Sequence, residues 1–422
     1  MNHLHQLDWK QGLDLYTCTE CGRCKEVCPT FTTDKPLNLK DFNDSLKYEL
    51  AANEDRLILR KKYADYLTED LDEGTTEKVK ANMMALNCEK PLVGGVIEED
   101  TLWACTTCRA CEEVCPVAIE HVPRIIGMRQ GQTLMAGVYP QELNAAFKGL
   151  ERNGNPWGIG YDKRADWAEG LGVKTMAEDP NVDYLLWVGC AGSFDDRTKK
   201  VSIALVKILQ KAGINFAILG TEEKCTGDFA RRSGNEMMYQ MMATENIEVL
   251  NGYNVKKIIA ACPHCLTTLK HDYPQLGGNY EVIHHSQFIE ELIKAGKIRL
   301  DKSLEGSLTY HDPCYLGRYN EVYDEPRTIL NSATGSGLTE LDRCGSESFC
   351  CGAGGGRMWM EETIGKRINV ERAEEIVSKN VTNVAVGCPF CLTMIEDGMK
   401  ELEKDEEIKT LDIAEVVAAQ LI

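Results

Sequence analysis

The sequence predicts an α+β multidomain protein, with a helical N-terminal third and a C-terminal half that carries one α/β unit twice. Three observations predict this. Residues 39–73 form a long polar, helix-prone stretch in which Leu46, Leu50, Leu57 and Leu59 recur near helical spacing. From residue 183 the pattern changes to short apolar runs alternating with amphipathic helices, the signature of an alternating α/β unit. The same order then returns, with four cysteines in register: Cys190, Cys225, Cys262 and Cys265 are followed 124, 125, 126 and 126 residues later by Cys314, Cys350, Cys388 and Cys391.

In the first unit the elements read DYLLWVGC, a helix around VSIALVKILQKAG, NFAILG, a helix around GNEMMYQMMATENIEVL, then KKIIAAC. In the second they read SLTYHDPC, a helix through EPRTIL, LTELDR, a helix through GGGRMWMEETIGKRINVERAEEIV, then TNVAVGC. NGNPWGIGYDKRADW breaks periodicity with Gly, Pro and Asn, so residues 146–182 read as a linker. The expected domains are 1–145, 183–300 and 301–422.

A chain of 422 residues exceeds one ordinary core. Its formal charge of -19 repels phosphate backbones and anionic lipid, which removes nucleic acid as a default partner. No run of eighteen apolar residues exists, and the first residues lack a basic region followed by an apolar one, so a cytoplasmic protein without direct membrane insertion is expected. Nineteen cysteines is an odd, clustered count that suggests metal before disulfides.

Two runs share the spacing C-x2-C-x2-C-x3-C-P: Cys18, Cys21, Cys24 and Cys28, and Cys105, Cys108, Cys111 and Cys115. Three thiolates at two-residue gaps wrap one face of a 4Fe-4S cubane, while the fourth, turned away by proline, serves the other cluster. The expected sets are therefore Cys18, Cys21, Cys24 with Cys115, and Cys105, Cys108, Cys111 with Cys28. Zinc fits poorly, because structural zinc takes two C-x2-C pairs. The layout resembles the helical two-cluster ferredoxin domain of succinate dehydrogenase iron-sulfur subunits and of the small iron-sulfur subunit of heterodisulfide reductase.

The second repeat supplies Cys314, the pair Cys350 and Cys351 followed by Gly352, and Cys388 with Cys391 in GCPFC. These thiols converge if each sits at a strand end, where open α/β sheets gather ligands. Gly352, Gly354, Gly355 and Gly356 are expected to let backbone approach an inorganic sulfide. Residues 183–422 resemble the cysteine-rich CCG domains of the heterodisulfide reductase family. That resemblance implies a non-cubane 4Fe-4S cluster held by Cys314, Cys350, Cys351, Cys388 and Cys391. The first repeat departs from the pattern, with Thr226 in place of the second paired cysteine. Its Cys190, Cys225, Cys262 and Cys265 suffice for one further, ordinary 4Fe-4S cluster. Packing of these nine thiols as plain small hydrophobes is the weaker reading, given their recurrence in register.

Several residues stand apart. His311 and Asp312 precede Cys314, and His311 is a candidate for hydrogen bonding to cluster sulfur or carrying a proton, against a plain turn histidine. His264 lies inside CPHC and is a candidate for tuning a cluster, whereas His284 and His285 read as surface or capping residues. Cys88 belongs to neither motif and reads as structural. The stretch MMYQMMATENI reads as core or partner surface. No nucleotide motif follows a strand, so neither flavin nor nucleotide is expected on this chain.

Clusters without an organic cofactor imply single-electron transfer and partner subunits. The fused layout also resembles iron-sulfur subunits of glycolate, lactate and anaerobic glycerol-3-phosphate oxidation systems and electron-transferring-flavoprotein oxidoreductases. The resemblance implies an oxidoreductase subunit that relays electrons between a flavoprotein partner and a terminal acceptor within a complex. In this reading the ferredoxin domain is the wire and the second CCG site the terminal or exchange centre. The alternative is a catalytic disulfide reductase in which Cys350, Cys351 and His311 act at the non-cubane cluster.

Overall fold

The computed structural model describes residues 1–67, 71–87, 90–301 and 304–422. Cys88 lies outside the described residues.

The N-terminal third is helical. Asn38 caps the helix Leu39–Ala52 by accepting from the Lys40 and Asp41 backbone N–H groups, and Leu39, Phe42 and Leu46 form its buried face. The helices Glu54–Tyr66 and Glu73–Ala85 pack against each other and bury no residue fully. Leu57 is half-buried against the core and Leu59 is exposed, so the apolar periodicity weakens after residue 52.

Two four-stranded parallel sheets follow, with the same strand order. The first contains β1 (Tyr184–Trp187), β2 (Phe216–Ala217), β3 (Lys257–Ala260) and β4 (Glu281–His284), in the order β2-β1-β3-β4. The second contains β5 (Leu308–Tyr310), β6 (Leu338–Thr339), β7 (Asn383–Val386) and β8 (Lys409–Asp412), in the order β6-β5-β7-β8. The protein is thus helix-rich with two small parallel sheets. NFAILG and LTELDR supply only two strand residues each. β4 and β8 are too short and mixed to read from periodicity: EVIH and KTLD each bury two residues.

Alternation along β1 explains how the sheet joins its neighbours. Leu185 and Trp187 face a core shared with the helical third, including Leu15, Leu102 and Phe147. Leu186 and Val188 face the opposite core, which the helix Asp196–Lys211 shares with the second repeat. Arg197 fixes the two repeats from that helix, bonding Glu396 at 2.5 Å, Glu415 at 2.8 Å and the Thr410 carbonyl.

In GGGRMWMEETIGKRINVERAEEIV the α-helix begins only at Ile368, running to Ser378, after a single 3-10 turn at Arg357–Trp359. The front half of that stretch is otherwise a loop, because Gly355 and Gly356 adopt the left-handed region at φ +63° and +79°. The helix Leu143–Asn153 runs through residue 145, and the chain beyond it packs onto the first repeat, with Asn155, Arg164 and Trp167 buried. His284 caps the helix His285–Lys294 through its ring, but it and His285 are fully buried rather than on the surface. His285 Nε2 meets Asp412 Oδ1 at 3.1 Å, which ties the start of the helix His285–Lys294 to the end of β8. Among the described residues, no helix is long and apolar enough to cross a membrane.

Leu209 is fully buried in the core between the repeats. Leu209→Ala is expected to cost about 2–5 kcal/mol, read as a lower denaturant midpoint.

Candidate metal centres

Both cysteine runs turn the same way. Glu20 and Gly22 in the first run, and Thr107 and Arg109 at the matching positions of the second, have φ of 56°, 81°, 53° and 61°. Left-handed residues inside each C-x2-C turn coil the backbone so that three thiols face one point. Non-glycine residues there carry a conformational cost, as functional loops often do.

The fourth thiol of each run crosses over. Cys24 lies beside Cys18, Cys21 and Cys115, and burial and then these neighbours push its thiol up to about 11. Cys28, Cys105, Cys108 and Cys111 line one small cavity of about 10 Å³. Burial raises Cys28 to about 11 and Cys105 to about 12, the latter opposed by Arg129. Bare thiols of this kind stay protonated near neutral pH, so these positions favour a metal that takes up the thiolate charge.

In the first repeat, Cys190, Cys225, Cys262 and Cys265 line a cavity of about 50 Å³ with Phe229, Trp359 and Phe390 among its walls. The Thr226 hydroxyl donates to the Cys265 sulfur at 3.9 Å. In the second repeat the equivalent pair is Cys351 and Cys391, whose sulfurs lie 3.3 Å apart. Cys350 neighbours both Cys314 and Cys351, and Cys388 neighbours Cys391. All five of these thiols are buried.

His311 joins this set, since one of its ring nitrogens and the sulfurs of Cys351 and Cys391 all lie within 4.8 Å of one another. Arg372 Nε donates to His311 Nδ1 at 3.0 Å, so the neutral ring carries its proton on Nε2, which is buried and has no partner among the described residues. Burial, then Arg372, lowers its pKa to about 3. At neutral pH His311 is therefore a fixed N–H donor. His264, in the first repeat, bonds Asp228 through Nδ1 at 2.9 Å and stacks on Tyr315 at 3.8 Å. Cys344, outside both motifs, is half-buried beside Glu340 and Asp312.

The thiol sets approach one another at two points. Cys108 of the N-terminal third neighbours Cys350 of the second repeat. Cys388 of the second repeat neighbours Cys262 of the first. The glycine-rich loop makes the first approach possible. A Cβ on Gly354 would stand 2.2 Å from the Thr106 carbonyl oxygen, and one on Gly355 2.5 Å from that of Cys105. These two glycines therefore serve close approach to the N-terminal cysteine loop.

Orphaned cations test whether the donor sets fit anionic clusters. Arg124 is fully buried, and although Asn43 accepts from Nη1 at 2.9 Å, Nε and Nη2 have no partner among the described residues. The nearby charges include Asp14, Cys18 and Cys111, so this cation stands between the two N-terminal sets. Arg129, also fully buried, bonds the carbonyls of Cys105, Gly355 and Arg232. A buried cation with no carboxylate bonded to it is costly, and thiolate-bound iron-sulfur groups would supply further negative charge. The residues fit such groups. Neither arginine has a spacing relation to the cysteines that the sequence could have flagged.

The effect of removing such a cation should change sign with iron. In the iron-free full chain, Arg124→Met should leave the thermal midpoint unchanged or raise it. In the iron-loaded chain it should lower the midpoint, with each lost charge-assisted hydrogen bond worth about 1.5–3 kcal/mol.

Comparison with known proteins agrees with this geometry. Residues 14–119 match the 4Fe-4S dicluster domain, and residues 184–270 and 308–396 match the cysteine-rich domain. EtfAB:quinone oxidoreductase of Syntrophomonas wolfei is 44% identical over 99% of this chain, and the probable iron-sulfur-binding oxidoreductase FadF of Bacillus subtilis 42% over 98%. The chain spans only 60% and 61% of those two relatives. The D subunit of the dihydromethanophenazine:CoB--CoM heterodisulfide reductase of Methanosarcina barkeri is 30% identical over 97% of this chain and 95% of its own length. With both cysteine-rich repeats and the dicluster domain in the same order, the chain belongs to the heterodisulfide reductase-like family of iron-sulfur oxidoreductase subunits.

Proposed function

We propose that this chain is an electron-transfer subunit of a redox complex, in which four thiol sets hold four clusters. Cys18, Cys21, Cys24 and Cys115 hold one ferredoxin-type 4Fe-4S cluster, and Cys28, Cys105, Cys108 and Cys111 a second. Cys314, Cys350, Cys351, Cys388 and Cys391 hold a non-cubane cluster, and Cys190, Cys225, Cys262 and Cys265 an ordinary one. Clusters so held supply one-electron exchange at potentials set by their surroundings.

The observation that carries this reading is the approach of thiols from different sets, Cys108 to Cys350 and Cys388 to Cys262. In this reading the second repeat stands between the ferredoxin-type sets and the first repeat. At the far end, Cys21 is exposed, and the helix Trp9–Thr17 that precedes it exposes Trp9, Leu13 and Tyr16. A partner that meets this end has a short path to buried sulfur. The name of the Syntrophomonas relative points to an electron-transferring flavoprotein as that partner, and a flavoprotein fits a chain that exchanges electrons singly.

A second reading, disulfide reduction at the second repeat, is favoured by one observation. The unpartnered His311 Nε2–H stands with Cys351 and Cys391, where it would hold and orient a substrate sulfur by donating to it. In that case Cys350→Ser should abolish disulfide reduction by an artificial donor while the ferredoxin-type signals persist.

The anaerobically purified full chain should contain about sixteen irons, and Cys225→Ser about twelve. Reduced samples should show magnetic interaction between the second ferredoxin-type site and the second repeat in electron paramagnetic resonance spectra. Colourless, iron-free protein, or clusters that neither reduce nor interact, would sink the proposal.

A further inference from the structure

A buried ion pair that belongs to no cysteine motif stands against the first-repeat thiols. Arg164 and Glu223 meet at 2.5 Å, with both side chains 2% exposed. Glu223 is fully committed: its carboxylate also accepts from the backbone N–H of Gly189 at 2.8 Å and of Val188 at 3.1 Å. It thus holds the turn that delivers Cys190. Arg164 uses the same Nη2 to reach the Cys190 sulfur at 3.5 Å. The segment carrying Arg164 closes over the site from Gly154, whose carbonyl accepts from the Cys225 N–H at 2.8 Å.

The second repeat is built differently. At the position matching Cys190 stands Cys314, and the nearby Arg318 donates to the carbonyls of Ser346, Ser348 and Cys108 rather than to sulfur. At the position matching Glu223 stands Ser348. The repeat that lacks one thiol is therefore the one with a guanidinium on a cysteine sulfur. A buried salt bridge adds little stability over apolar packing, so fold stability alone is a weak reason for charges here. Hydrogen bonds to cluster sulfur and net local charge, by contrast, are the levers that set reduction potentials.

We propose that Arg164 is a positioning residue of the first-repeat centre: clamped by Glu223, its guanidinium donates to the Cys190 sulfur and raises that centre's reduction potential. The inference rests on the reading that Cys190, Cys225, Cys262 and Cys265 hold a cluster. Reduction adds negative charge, which a neighbouring cation favours and a neighbouring anion opposes. The two members of the pair must therefore act with opposite signs.

Potentiometric titration of the iron-loaded full chain, followed by electron paramagnetic resonance, tests this. Arg164→Gln should make the first-repeat centre about tenfold harder to reduce, ~59 mV lower for one electron. Glu223→Gln should shift it upward, and Arg164→Lys should fall between Arg164→Gln and the parent, since it keeps the charge without the planar fork. The other midpoints should stay fixed. Shifts of one sign in both Gln variants, or none, at full iron content would overturn the proposal. Should Arg164→Gln lose its first-repeat iron, Glu223→Gln decides alone, and an unchanged or lowered midpoint overturns it. A parent chain with no first-repeat iron would instead refute the four-cluster reading, and this inference with it.

Discussion

Burial of sulfur together with positive charge is the constraint on which the rest of the structure depends. Burial pushes thiols such as Cys28 and Cys105 up to about 11 and 12, which would leave them inert as free side chains. Beside them stand Arg124 and Arg129, fully buried without a carboxylate bonded to either among the described residues, in a chain whose net charge is -19. Neither arrangement is favourable alone. Thiolate-bound iron resolves both at once, by taking up the charge of deprotonated sulfur and by giving the guanidinium groups an anionic neighbour.

The duplication shows how one scaffold carries two different thiol sites. Strand order is identical in the two sheets, so equivalent backbone positions bring Cys190 and Cys314, or Cys265 and Cys391, to equivalent places. The chemistry at those places has diverged. Where the second repeat sets Cys351 against Cys391, the first sets the Thr226 hydroxyl against Cys265. Where the second has His311 backed by Arg372, the first has Arg164 clamped by Glu223. Each site thus keeps a hydrogen-bond donor near sulfur but obtains it from a different element.

The three units are also joined through their centres. Gly354 and Gly355 let the second-repeat loop lie directly on the Cys105–Thr106 backbone, and Arg129 bridges that loop, the cysteine run and the Arg232 carbonyl of the first repeat. Cys108, Tyr315, Phe349 and Cys350 share one small apolar cluster across the same boundary. Packing and sulfur placement are therefore one problem here: a shift of the loop moves a thiol.

The sequence by itself determined the thiol inventory and its grouping, because cluster ligation is a local spacing code. C-x2-C-x2-C-x3-C-P tells which three thiols face together and that the fourth points away, and the constant offset near 125 residues marks the repeat. Helices with a continuous apolar face, such as Leu39–Ala52 and Asp196–Lys211, were legible for the same local reason. The short, mixed strands Glu281–His284 and Lys409–Asp412 were not, since runs of that kind show no clear periodicity. Only the tertiary structure decided that His284 and His285 are buried, that residues 154–168 pack onto the first repeat, and that Cys350 neighbours Cys108 while Cys388 neighbours Cys262. Those facts depend on charge compensation and close approach between segments more than a hundred residues apart, as between Arg129 and Gly355, and no spacing within the chain encodes them.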